Sequence, residues 1–159
     1  MNKEMSLDMR EGEGIRTGVD VFVLNEQEQL LLGLRKARAG ENTWGFPGGH
    51  QRTGEMIHDT AIRELREELG GQVQIELINE VVAVRENQIK PWYVPHITII
   101  LKAYYGGGEI VNNPQERTVT WNWFSLDNLP PQLFSGVEET VQNYKQGLSL
   151  VVSDWHIKP

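Results

Sequence analysis

Apolar residues run almost unbroken from Gly18 to Leu24, which predicts a buried strand. Leu30 to Leu34 predicts its hairpin partner across a turn at Asn25 to Gln29. Between Glu55 and Leu69 the apolar positions are 57, 61, 62, 65 and 69, a helical spacing, and Gly70 with Gly71 supplies the stop. Val73 to Arg85 alternates and then runs apolar, predicting a strand or two. Pro95 to Tyr105 predicts the strongest strand of the second half, ended by Gly106 to Gly108. A turn at Asn112-Asn113-Pro114 precedes a strand over Thr118 to Phe124. A short acidic turn from Ser125 to Pro131 and a closing helix over Val137 to Gln146, stopped by Gly147, complete the pattern. Strands on both sides of the main helix make this a mixed α/β chain.

The polar face of the main helix carries the chemistry. At roughly 100° per residue the apolar set fills an arc of about 140°. Glu68 falls just inside one edge of that arc, and Glu64 and Glu67 follow beyond it. Like charges at these spacings repel, and partial desolvation raises the cost. A divalent cation would turn that repulsion into attraction. The bland alternative is a solvated face in which Arg63 pairs with Glu67 and Arg66 screens its neighbours.

Composition narrows the choice of metal. The chain has 159 residues, 39% hydrophobic and 23% charged, which suits one globular domain over 15–159 after a loose tail at 1–14. That tail has no apolar core of a secretory signal, and no apolar run approaches the roughly 20 residues that cross a bilayer. A cytoplasmic location and no membrane partner are expected. There is no cysteine, so thiolate sites and thiol nucleophiles are excluded, and an oxygen-held metal is favoured. A net charge of -7 argues against duplex nucleic acid as a partner.

The carboxylate strip is tied to a glycine loop. Gly49, Glu55, Arg63, Glu64, Leu65, Glu67, Glu68 and Gly70 stand in the spacing G-x5-E-x7-R-E-U-x-E-E-x-G-U, with U aliphatic. This resembles the box of the Nudix (MutT-like) hydrolases. The single departure is Gly71, where the family usually has an aliphatic residue that packs the helix end. The resemblance implies a Nudix α/β/α sandwich with a central mixed β-sheet and a phosphoanhydride hydrolase using Mg²⁺, with Mn²⁺ able to substitute. It implies Glu67 and Glu68 as metal ligands with the carbonyl of Gly48. Glu64 matches a position that is ligand or general base, and Glu55 with Arg63 matches a pair bracing loop against helix.

Other positions are candidate substrate contacts. Arg35 ends a strand where many MutT-like members place an arginine. Glu116 precedes a strand where a further acid often lies, with Glu109 its competitor. The Pro-Gly-Gly-His stretch ending at His50, the Pro95 to Ile99 stretch and the Trp121 to Phe124 stretch resemble a subgroup of nucleoside triphosphate diphosphatases. Trp123 could then stack a base. The expected activity is cleavage of a nucleoside triphosphate, a small-molecule nucleotide, to the monophosphate and pyrophosphate. The alternatives are another nucleoside diphosphate-X, such as a nucleotide sugar or ADP-ribose, and an inactive nucleotide-binding module. A homodimer is compatible with all of these.

Overall fold

The computed structural model describes residues 15–37, 40–89, 94–148 and 151–152. The tail expected over residues 1–14 lies outside them. Strands β1 (Arg16–Leu24), β2 (Gln29–Arg35), β3 (Trp44–Gly45) and β4 (Gly48–His50) come first, followed by helix α1 (Ile57–Leu69). Then come β5 (Gln74–Ile89), β6 (Val94–Gly107), β7 (Thr118–Ser125), α2 (Val137–Lys145) and β8 (Val151–Val152). All strands join one mixed sheet in the order β3-β2-β1-β6-β5-β8, with β4 added on β1 and β7 on β2.

Side chains alternate across β1 as strand geometry requires. Val19, Val21 and Val23 pack with Ala61, Leu65 and Leu69 of α1. Phe22 and Leu24 pack on the opposite face with Val137 and Val141 of α2. The parallel pairing of β1 with β6, Arg16↔His96 through Leu24↔Tyr104, closes the centre of the sheet. Among the described residues no helix is long and apolar enough to cross a membrane.

Several boundaries differ from the sequence pattern for identifiable reasons. Helix α1 begins at Ile57 because Met56 is extended, at φ -81 and ψ 160, and Glu55 is occupied elsewhere. Trp44–Gly45 and Gly48–His50 are short strands pinned by pairing with β2 and β1. The segment read as one or two strands is a single long strand, β5, carried past Arg85 through irregularities between Leu77 and Ala83.

Candidate active site

Strand β4 lays Gly48 opposite Asp20 and Gly49 opposite Val19 of β1, and α1 runs beside it. Glu64 and Glu68 are buried, at 9% and 7% relative exposure, so α1 directs two carboxylates inwards rather than to solvent. Glu68 Oε2 accepts the Gly48 N–H at 2.9 Å. Gly48 is sterically required, and Gly49 leaves room for the Glu64 carboxyl. A side chain at Gly48 would meet the backbone of Val19 and Asp20, and one at Gly49 would meet the Glu64 carboxyl.

Arg63 ties loop to helix. Its Nε donates to Glu55 Oε1 at 2.6 Å and its Nη2 to Glu55 Oε2 at 3.0 Å, a bidentate pair. Nη2 also donates to the His50 carbonyl at 2.9 Å. Nη1 donates to Glu64 at 2.6 Å and to Glu67 at 3.1 Å. Glu55 further accepts from the Arg52 N–H and the Thr60 hydroxyl. The Arg63 hydrogen bond, and then the Arg52 N–H, hold the Glu55 carboxyl down at about 2.

The inner carboxylates behave oppositely. Burial pushes Glu68 up to about 8, against the Gly48 N–H, with Glu64, Asp20 and Glu116 adding to the rise. Burial also raises Glu64, opposed by Arg63. Asp20 keeps some exposed surface, yet its dense surroundings push its carboxyl up to about 7 against Arg35 and Arg85.

Gly48, Gly49, His50, Glu64, Glu67 and Glu68 line one cleft of about 300 Å³, joined by Arg52, Glu116 and Arg117. The structure thus brings Glu116 to the box, while Glu109 is not among the lining residues. His50 stacks near His96, ring centres 4.8 Å apart. Burial, with His96 and two arginines, lowers its imidazole to about 4, so it is neutral at physiological pH. Arg35 is not part of the lining; it lies over the Phe134 ring at 4.1 Å, within the electrostatic reach of Asp20 and Glu68. Trp123 is not brought to the cleft either. It packs against Tyr105, ring centres 5.1 Å apart, on the α1 side of the sheet.

Sequence reasoning missed Asp20, Arg52 and Arg117. Asp20 carried a usable signal, since a carboxylate inside an otherwise apolar strand needs a reason to be there. Arg117 adjoins Glu116 and Arg52 lies inside the glycine loop, so proximity was the only signal for either.

Among the described residues, no three acidic or histidine side chains converge as a preformed metal site. Glu64 and Glu67 are turned to Arg63, and Glu68 to the Gly48 N–H. The donor chemistry nevertheless fits a hard divalent cation. The cleft gathers the carboxylates of Glu64, Glu67, Glu68 and Glu116 beside a single imidazole, and burial raises Glu64 and Glu68.

Comparison with known proteins agrees with this geometry. The family model for the NUDIX domain matches residues 14–144. The chain is 32% identical over 111 residues to an NAD-capped RNA hydrolase NudC of Pectobacterium carotovorum subsp. carotovorum (strain PC1). That match takes in 69% of this chain and 39% of the relative, so the chain spans about two fifths of the length of such relatives. A crystal structure of a MutT NUDIX hydrolase from Burkholderia pseudomallei superposes with a TM-score of 0.69 at 24% identity, over 82% of this chain and 98% of that one. An ADP-ribose pyrophosphatase structure from Streptococcus suis 89-1591 superposes at 0.62 with 23% identity, over 89% and 96% of the two chains. These two likenesses show the shared mixed α/β fold. With the family model spanning β1 to β7, the box helix and nearly all of α2, this chain belongs to the Nudix family.

Proposed function

We propose that this chain is a divalent-metal-dependent hydrolase that cleaves a nucleoside triphosphate to the monophosphate and pyrophosphate. The carrying observation is the burial of Glu64 and Glu68 against Gly48 and Gly49, in a cleft that Glu116 and two arginines also line. Such a cleft suits a cation bridging to an anionic polyphosphate. Glu64, Glu67 and Glu68 with the Gly48 carbonyl would hold Mg²⁺ or Mn²⁺. When bound, such an ion neutralises phosphate charge and acidifies a water molecule.

The remaining work falls to the chain. Glu55 fixes Arg63, and Arg63 fixes Glu64 and the His50 carbonyl, so the loop and helix present one geometry. Glu64, buried in the cleft, would serve either as a further ligand or as the base that takes a proton from the attacking water. Arg52 and Arg117 in the lining neutralise phosphate oxygens on the solvent side, and Arg35 acts from behind the glycine loop. All four box glutamates are retained, which disfavours an inactive binding module.

A second reading is cleavage of a nucleoside diphosphate linked to another group. It is favoured by the 32% identity to a protein named for hydrolysing NAD-capped RNA. A panel of nucleoside triphosphates, ADP-ribose, nucleotide sugars and NAD-capped RNA, run in ¹⁸O-labelled water, decides between them. The first reading expects the highest kcat/KM on a triphosphate and label in the monophosphate or pyrophosphate. A higher value on a diphosphate-linked substrate, or orthophosphate as the first product from triphosphates, overturns it.

A further inference from the structure

The connection between β6 and β7, residues 108–117, carries Glu116 and Arg117 to the cleft. Charge alone does not favour that placement for Glu116. It is half-buried, and close enough to Glu64 and Glu68 for its charge to raise both carboxyls. A freely moving loop would turn such a carboxylate out to water, where salt screens like charges. The placement therefore needs a fastening.

The fastening is built on the end of α1. A helix leaves its last four carbonyls without partners inside the helix, and in α1 these include Glu67 and Leu69. The Val111 N–H donates to the Leu69 carbonyl at 2.9 Å. Asn113 Nδ2 donates to the Glu67 carbonyl at 3.2 Å. Asn113 also shapes the turn that follows. Its Oδ1 accepts the Gln115 N–H at 3.1 Å, and its carbonyl accepts the Glu116 N–H at 3.0 Å. Asn at the first position of such a turn and Pro114 at the second are favoured occupants. From the far side, Lys36 donates its Nζ to the Pro114 carbonyl at 2.7 Å and its N–H to the Arg117 carbonyl at 2.8 Å. Asn113 thus joins the backbone of Glu67 to that of Glu116, two residues whose side chains line the same cleft.

We propose that Asn113 is a positioning residue: by clamping residues 111–117 to the carbonyl end of α1, it holds the Glu116 carboxylate against those of the box and so strengthens their grip on a divalent cation. This rests on the metal-dependent hydrolase reading above. Asn113 is not among the residues that line the cleft, so it acts through Glu116. The hydrogen bonds of the clamp offset the repulsion among the carboxylates in the metal-free chain, and a cation turns that repulsion into attraction. Because the clamp seats on the Glu67 backbone itself, a shift of the last turn of α1 carries Glu116 with it.

The test joins calorimetric titration with Mg²⁺ alone, amide hydrogen exchange, and steady-state kinetics on the best substrate of the panel above. The chains compared are the native one, Asn113→Ala, Asn113→Ser, Glu116→Gln and the double variant Asn113→Ala with Glu116→Gln. Asn113→Ala is expected to lose protection at the Glu116 amide. It should also bind Mg²⁺ about tenfold more weakly and lower kcat about tenfold, with KM at saturating Mg²⁺ little changed. Asn113→Ser keeps an acceptor for the Gln115 N–H, but its hydroxyl is one bond shorter than the amide nitrogen that meets the Glu67 carbonyl. It should behave like the alanine variant. The double variant should lose no more than Glu116→Gln does, since a residue acting through Glu116 adds nothing once that charge is gone. Losses that multiply in the double variant, or native Mg²⁺ affinity in Asn113→Ala, overturn the proposal and leave the hydrolase reading standing. Native behaviour of Asn113→Ser does the same, because the local turn would then suffice without the bond to α1. A native chain that neither binds Mg²⁺ nor turns over any substrate overturns the hydrolase reading and this proposal with it.

Discussion

The Glu64 carboxyl lies directly on the Cα of Gly49: a methyl group there would sit 2.5 Å from Glu64 Cδ and Oε1 and 2.6 Å from Oε2. Gly49 is not in the left-handed backbone region, so an added methyl group would act by pushing the Glu64 carboxyl aside. Gly49→Ala is expected to displace Glu64, cost about 1–3 kcal/mol by overpacking, and lower kcat/KM at least tenfold, by roughly the value of one misplaced catalytic group. Denaturant melts and steady-state kinetics check both halves. Full activity in Gly49→Ala would remove Glu64 from the chemistry.

Glu68 gives a prediction whose sign runs against habit. Its folded carboxyl is raised from 4.5 to about 8, so between those values the folded state holds a proton that the unfolded state has lost. The Glu68 contribution to the stability of the metal-free chain therefore falls as pH rises through that window. Glu68→Gln keeps an acceptor for the Gly48 N–H and removes the charge. It is expected to melt higher than the native chain at pH about 8 without metal, to gain less from added Mg²⁺, and to lose most activity. Melting curves against pH, with and without Mg²⁺, give the comparison. A melting difference between Glu68→Gln and the native chain that does not grow in the variant's favour as pH rises over that range contradicts the assignment.

The Glu55–Arg63 pair behaves conversely. Glu55 is depressed from 4.5 to about 2, so its contribution is present above pH 4.5 and fades as pH falls towards 2. Glu55→Gln is expected to melt lower than native at neutral pH, and the gap should narrow steadily below pH 4.5. The same substitution should lower kcat more than it raises KM, because the pair positions Glu64 rather than touching substrate. A gap that persists unchanged at low pH would mean that shape, not charge, is what the pair supplies.

The box was legible because two periods coincide in it. Helical spacing of apolar residues fixed which face of α1 is buried, and fixed offsets from Gly49 and Glu55 placed the carboxylates on its edge. Other features had no local signature. Two strands of two and three residues, at Trp44 and at Gly48, show no alternation to read, and exist only through their pairing with β2 and β1. Asp20 was visible as a charge in an apolar strand, but its neighbours Arg35 and Arg85 come from β2 and β5, and only the sheet order brings them together. Trp123 was read as a base-stacking residue because the Trp121 to Phe124 stretch resembles a subgroup of nucleoside triphosphate diphosphatases. The register with Leu31 fixes its side chain on the α1 side instead.

Gly71 is the one departure from the family spacing, and the structure says what it costs. A side chain there would meet nothing within 4 Å, and the residue is outside the left-handed region. Gly71→Ala should therefore restrict the unfolded chain without strain in the folded one and stabilise by about 0.4–1 kcal/mol. Urea unfolding with an unchanged m-value checks it. Gly70, at φ +91, is the internal control, and Gly70→Ala should destabilise.

Trp123 separates packing from recognition. It is partly buried beside Tyr105 and the α1-side core, on the face opposite the row that holds Asp20. Trp123→Leu removes a tilted ring contact and leaves unfilled volume, at a cost of about 1.5–4 kcal/mol. Because Trp123 does not line the cleft, KM for a nucleoside triphosphate should change less than about twofold, which is under about 0.5 kcal/mol of binding. Measured on one preparation of the variant, chemical denaturation and the triphosphate panel check both halves. A large rise in KM for Trp123→Leu, with folding intact, would place the base on the α1 side of the sheet.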